Sequence, residues 1–180
     1  SISTNNIENS NQNSVYQLQT NKEKDSIKLD KDFSSKEIKI VGLYDPEEYG
    51  LNIDMWSNSD GLKIKNLFEN IEKFNLSKDA SEIMHISLLT NAYYPNQNIT
   101  EQEFISLKSD WLIKNENLEV IEEYLIKNQI INLHPKLTRY LVDNYLSESN
   151  VKKSCEIFSK NKEPIEDEYL SKFNLYCLIN

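Results

Sequence analysis

A chain of 180 residues is long enough for one domain with its own core, or for a small domain with a polar extension. The net charge of -9 and isoelectric point near 4.8 exclude a sequence-independent grip on nucleic acid, which needs surplus Lys and Arg facing phosphates, and disfavour an anionic membrane surface. With 38% apolar residues, three glycines, four prolines and no run near the roughly 20 apolar residues of a membrane span, the composition excludes a turn-rich sheet protein and a Gly-rich phosphate loop, and points to helices without a membrane span.

In chain order, residues 1–26 are a polar low-complexity tail, rich in Ser, Asn and Gln, with almost nothing to bury. Residues 27–58 form an extended arm. Within it Ile38 to Tyr44 alternates apolar and β-branched residues in the manner of one short strand, and Leu43, Tyr44, Leu51, Ile53, Met55 and Trp56 are its expected anchors on a helical body. The body, 59–180, opens with Ser59 or Asp60 capping a helix whose apolar positions are Leu62, Leu67, Ile71 and Phe74. Ser77 caps a second helix with Ala80, Ile83, Ile86 and Leu88 to Ala92, stopped by Pro95. Thr100 and Glu103 make a capping box for a third, carrying Phe104, Leu107, Trp111 and Leu112. After a break at Asn115 to Asn117 comes a fourth with Leu118, Ile121, Tyr124 and Leu125. His134-Pro135 opens a fifth, with proline at its first turn and Leu137, Tyr140, Leu141 and Tyr145 on its apolar face. Ser149 or Asn150 caps Val151 to about residue 160, and Pro164 precedes a last helix bearing Tyr169, Leu170, Phe173, Cys177 and Leu178.

Positions in this second half recur at a constant interval. Phe104, Leu137 and Leu170 stand at that spacing, as do Leu107, Tyr140 and Phe173, and Leu112, Tyr145 and Leu178; Asn117, Glu123, Lys127 and Asn128 recur as Asn150, Glu156, Lys160 and Asn161. A period of about 33 residues marks stacked helical hairpins, each unable to bury its apolar face alone. The expected fold is all-α: antiparallel hairpins stacked as a short α-solenoid behind an extended N-terminal arm. The last helix runs apolar up to Leu178 and Ile179, where a solenoid normally finishes in a polar capping face, so the array is expected to continue past residue 180 or to be covered by a partner.

The spacing resembles a degenerate tetratricopeptide repeat over roughly residues 101–180. That family's large positions fall on Phe104, Leu107, Trp111 and Tyr124, then on Leu137, Tyr140, Asn144 and Ile157, and then on Leu170, Phe173 and Cys177. Where the family prefers a first-helix glycine this chain has Lys108, Leu141 and Asn174, and where it prefers alanine in the second helix it has Val120 and Lys153. The Asp54-Met55-Trp56-Ser57 stretch and the paired cysteines are also similar to exported helical-repeat proteins of alphaproteobacteria. These resemblances imply a scaffold for protein binding.

Cys155 and Cys177 fall on helices that lie side by side in such a stack. They are either a disulfide, closing a loop worth roughly 3 kcal/mol, or two small buried thiols in a reducing cytosol. The first reading implies an oxidising compartment, hence an exported and periplasmic chain; the second a cytoplasmic one. Two cysteines with no neighbouring His and no C-x-x-C spacing do not make a metal site.

No catalytic constellation stands out. Glu82 and His85 have the Glu-x-x-His spacing of paired-iron bundles, but only one such motif is present. His134, before a proline, reads as a helix-start residue. Asn58 to Gly61 resembles part of a calcium loop, yet Trp56 and Leu67 occupy the positions that require carboxylates. The sequons Asn75-Leu76-Ser77 and Asn98-Ile99-Thr100 are accounted for by capping. The remaining candidates are aromatic anchors for a partner, Tyr44, Trp56, Tyr93, Tyr94, Tyr140 and Tyr145, because tyrosine and tryptophan combine large area with one polar handle. The expectation is a non-catalytic interaction module without cofactor or metal, binding a protein partner, or a subunit that self-associates by exchanging its arm.

Overall fold

The computed structural model describes residues 40–179. The polar tail 1–26 and residues 27–39 of the expected arm lie outside the described residues, as do the first two positions of the Ile38 to Tyr44 strand. Seven helices follow: α1 Gly61–Ile71, α2 Lys78–Leu89, α3 Glu101–Asn115, α4 Leu118–Asn128, α5 Pro135–Ser147, α6 Val151–Glu156 and α7 Glu168–Ile179. Among the described residues there is no strand, only the isolated bridges of Tyr44 with Thr90 and Asp60 with Gln97. The fold is all-α, and no described helix is long and apolar enough to cross a membrane.

Most of the helices start where a side chain can take up a free backbone N–H. The Asp60 carboxylate accepts from the N–H groups of Leu62 and Lys63, Ser77 from Ala80, Asn117 from Val120 and Asn150 from Lys153. Thr100 and Glu103 complete the capping box in both directions. Asn117 and Asn150, one period apart, therefore do the same job at the starts of α4 and α6. Pro135 sits in the first turn of α5, where its missing N–H costs nothing.

Helix α1 packs on α3, α3 on α5 and α5 on α7, while α4 and α6 both lean on α5. The core runs along this row: Leu112, Ile121, Leu125, Leu137, Leu141, Val142 and Leu170 are buried almost completely. Several helices differ from expectation: Ile83 of α2 and Leu178 of α7 are exposed, and α6 ends at Glu156 rather than near residue 160. In α1, Leu62 and Leu67 point to solvent, as does Phe74 beyond its end, and Gly61, Ile64 and Phe68 turn inward instead. The inward set is fixed by close approach at Gly61, where an added Cβ would stand 2.2 Å from that of Ile99. Helix α2 stops at Leu89 rather than reaching Ala92, because residues 90–93 leave the helix to pair with the arm.

That pairing holds residues 40–58 on the helical body. The N–H groups of Leu43 and Tyr44 donate to Leu89 O at 2.6 and 3.2 Å, and Asn91 N–H donates to Tyr44 O at 3.0 Å. From α4, Asn128 clamps Gly42 on both sides, accepting from its N–H at 3.3 Å and donating to its C=O at 3.1 Å; Lys127 donates to Leu43 O at 2.7 Å. A side chain on Gly42 would collide with backbone atoms of Leu89, Thr90 and Asn91 at 2.5–2.7 Å, so only glycine lets the arm lie this close. Of the expected anchors, Leu43, Tyr44 and Trp56 pack against the core, and Ile53 remains exposed.

Candidate functional site

Three arrangements carry chemistry: two histidine networks and the outer face of α6 and α7. His134 does not cap α5 with its side chain; its ring lies in the core between α3 and α4. Ser109 Oγ donates to Ile105 O at 2.8 Å and lies 2.9 Å from His134 Nδ1, while the Tyr124 hydroxyl lies 3.0 Å from Nε2. Because the serine proton is committed to Ile105, Nδ1 must carry a hydrogen and donate to Oγ, leaving Nε2 to accept from Tyr124. Burial, then the neighbouring Lys108, pushes the His134 pKa well below the ordinary histidine range, so the ring is neutral. Burial, then Tyr94, pushes the Tyr124 phenol up. The circuit is buried: Ser109 is oriented as an acceptor toward histidine, the reverse of what an activated nucleophile requires.

Lys108 lies beside this circuit, 3% exposed, with its Nζ 4.5 Å over the Tyr124 ring. Burial lowers its pKa to about 7. Its counterpart one period on, Leu141, is fully buried, so a lysine occupies an inward position of the repeat. Tyr94 Oη and Trp111 Nε1 are buried without a hydrogen-bond partner among the described residues.

The second network ties the arm to the body. The Tyr44 hydroxyl is 2.7 Å from His85 Nε2, and His85 Nδ1 is 2.8 Å from Glu116 Oε1 at the end of α3. Burial, followed by Tyr49, Glu123 and Glu116, raises the Tyr44 pKa. Glu82 takes no part, so the Glu-x-x-His spacing is coincidental. Among the described residues no group of three or more His, Cys, Asp or Glu is placed to hold a metal ion.

The third arrangement lies on α6 and α7. Cys155 and Cys177 are joined by a disulfide with a Cα separation of 5.4 Å. Leu170 seats α7 in the core, Phe158 and Phe173 meet edge to face at 5.9 Å, the Arg139 guanidinium pairs with Asp167, and the Tyr169 hydroxyl donates to Asp143. The bond to Asp143 is the main cause that pushes the Tyr169 phenol up to about 12. Facing outward are Leu175, Tyr176, Leu178 and Ile179, all exposed. Between α6 and α7 run two cavities of about 440 and 370 Å³ that share Val151 and Tyr176 as walls, with the disulfide lining the first and Leu146, Tyr169 and Phe173 the second.

The six aromatic candidates do not converge on one surface. Tyr44 and Trp56 pack the arm onto the body, Trp56 against Phe104 at 5.6 Å. Tyr94 also meets Phe104, and Tyr140 is half-buried beside the core. Tyr145 is buried, its hydroxyl donating to Glu122 at 2.5 Å with Lys153 Nζ 4.6 Å over its ring. Tyr93 alone of the six is exposed. The exposed aromatics on the α6–α7 furrow are Tyr169 and Tyr176. Comparison with known protein families, curated proteins and solved structures yields no match to this chain.

Proposed function

We propose that this chain is a non-catalytic protein-interaction module of stacked helical hairpins, tetratricopeptide-like in its period, that receives a partner's amphipathic helix on the outer face of α7. One observation carries the reading. Val142 and Tyr145 of α5 are buried beneath α6, and their counterparts one period further on, Leu175 and Leu178, are 58% and 76% exposed. Apolar side chains that the period buries in one unit stand uncovered in the next, and a groove-bound helix is the form of cover the period supplies. The disulfide supports an exported setting, since such bonds persist in oxidising compartments.

The test is a photo-crosslinking residue at position 178, expressed in the native cells, beside the same group at position 66 on the solvent side of α1. A discrete crosslinked species from position 178 alone is expected. No product there, or equal labelling from both positions, would overturn the reading.

A further inference from the structure

We infer that the trough bounded by the C-terminal ends of α2 and α4 is a recognition site for an extended segment of a partner protein, of the order apolar-Gly-apolar-Tyr, and that Val41 to Tyr44 are its built-in occupant, which the partner displaces. The α7 face takes no part, so either reading can fail without the other.

The grip on the occupant is mostly a grip on backbone. Leu89 O accepts from the N–H groups of Leu43 and Tyr44, Asn91 N–H donates to Tyr44 O, Asn128 holds Gly42 from both sides, and Lys127 donates to Leu43 O. Main-chain bonds of this kind read an extended conformation and not a sequence, which is how a groove takes a strand supplied by another chain. Sequence enters at three places. Val41 is only 3% exposed, Gly42 fits where a Cβ would stand 2.5–2.7 Å from backbone, and the Tyr44 hydroxyl meets His85 Nε2 at 2.7 Å.

The receiving groups are held in place by the helical body itself. Asn128 Nδ2 also donates to Tyr124 O at 2.8 Å, which fixes its amide for Gly42, and His85 Nδ1 is turned toward Glu116 Oε1 at 2.8 Å, which presents Nε2 to a hydroxyl. Neither bond involves the arm, so the trough is preorganised and docking a segment costs little ordering on the receiving side.

The occupant, by contrast, is placed to leave. Of its four residues only Val41 and Gly42 are buried, and Asp45 and Glu47 to Gly50 after it are exposed. The rest of the described arm has its own anchorage, with Tyr93 N–H donating to Ile53 O at 2.8 Å and Trp56 against Phe104 at 5.6 Å. Residues 41–44 can therefore lift off while 53–58 and the helix row stay in place. The occupant's charge is also unfavourable: Asp45 follows Tyr44, and the carboxylates of Glu116 and Glu123 both bear on that tyrosine. A partner with Lys or Arg after its tyrosine is the better fit.

Amide exchange of the whole chain reads the displacement first. The amides of Leu43 and Tyr44 are expected to exchange roughly tenfold or more faster than that of Leu125 in α4, through an opening that leaves the helices protected. Exchange of all three only with global unfolding means that the segment does not leave, and overturns the inference. Recognition is read by fluorescence anisotropy of a labelled peptide of residues 40–48 titrated into the full Gly42→Ala chain, whose own arm cannot seat. Saturable binding is expected there, with binding roughly tenfold weaker or more to the wild-type chain, where the arm competes. Asp45→Lys in the peptide should tighten binding, and Gly42→Ala in the peptide should abolish it. The full Tyr44→Ala chain serves as a second open form, since it loosens the segment without a clash. No saturable binding to either open chain, or equal binding of the Gly42→Ala peptide, overturns the site; weaker binding of the Asp45→Lys peptide overturns the basic partner.

Discussion

Helices α3 and α7 stand at the same place in the repeat, yet they are held by different means. Leu112 near the end of α3 is fully buried, and Leu178, two periods on, is largely exposed. Helix α3 packs against both α1 and α5, so packing alone fixes it. Helix α7 has α5 on one side and only the short α6 near it, and there a covalent bond between Cys155 and Cys177 joins the two. Where α3 is held by apolar burial, α7 is held in addition by a crosslink, which limits the freedom of the unfolded chain.

The comparison breaks most sharply at its centre. Leu137→Ala, in the fully buried face of α5, should cost about 2–5 kcal/mol, read as a lower denaturation midpoint at unchanged slope. The α7 end is tested by Cys155→Ser with Cys177→Ser, expected to cost roughly 3 kcal/mol and to raise amide exchange in α7 before it rises in α3. Equal protection of both helices in that variant would mean packing holds α7 as firmly as α3. Finding both thiols free in protein trapped in its native cells would remove the case for export.

The third test concerns the polar group buried in the centre. The folded pKa of Lys108 is about 7, below its ordinary 10.5, so between those values the unfolded chain holds a proton that the folded chain lacks, and stability rises with pH across that window. Neutral His134 adds the same sign below about pH 6.5, where only the unfolded ring takes up a proton. The raised phenols of Tyr94 and Tyr124 make the same sign unavailable to acid: above about pH 10 the unfolded phenols lose protons that the folded ones keep, and stability falls. Lys108→Met should therefore stabilise by about 1–4 kcal/mol near neutrality and flatten the rise from pH 7 upward. A variant with the wild-type slope would place the responsible group elsewhere.

The caps were legible because each is a local exchange between a side chain and backbone two or three residues away: Asp60, Ser77, Thr100, Asn117 and Asn150 can be read without knowing the tertiary fold. The nearness of the two cysteines was legible from the placement of neighbouring helices, but the choice between a disulfide and two thiols was not. The inward face of α1 was not, because Leu62 and Leu67 are as apolar as Ile64 and Phe68 and only the contact of Gly61 with Ile99 decides between them. The buried histidine circuit was hidden for another reason: hydropathy assigns Lys108 and His134 to solvent. One sequence signal pointed inward, since Lys108 stands one period before Leu141. Tyr145 looked like a surface anchor because hydropathy does not reveal that Glu122 and Lys153 enclose its hydroxyl.

The clamp of Asn128 on Gly42 also sets a clock. The two residues lie 86 apart in sequence, so a chain emerging from its N-terminal end can pair the arm with Leu89 and Asn91 first, but cannot close the clamp until the last residue of α4 has appeared. At about 5–20 residues per second, that interval lasts several seconds. Throughout it the backbone of Gly42 and Leu43 lacks its α4 partners, and those polar groups must be met by water until Asn128 and Lys127 close over them.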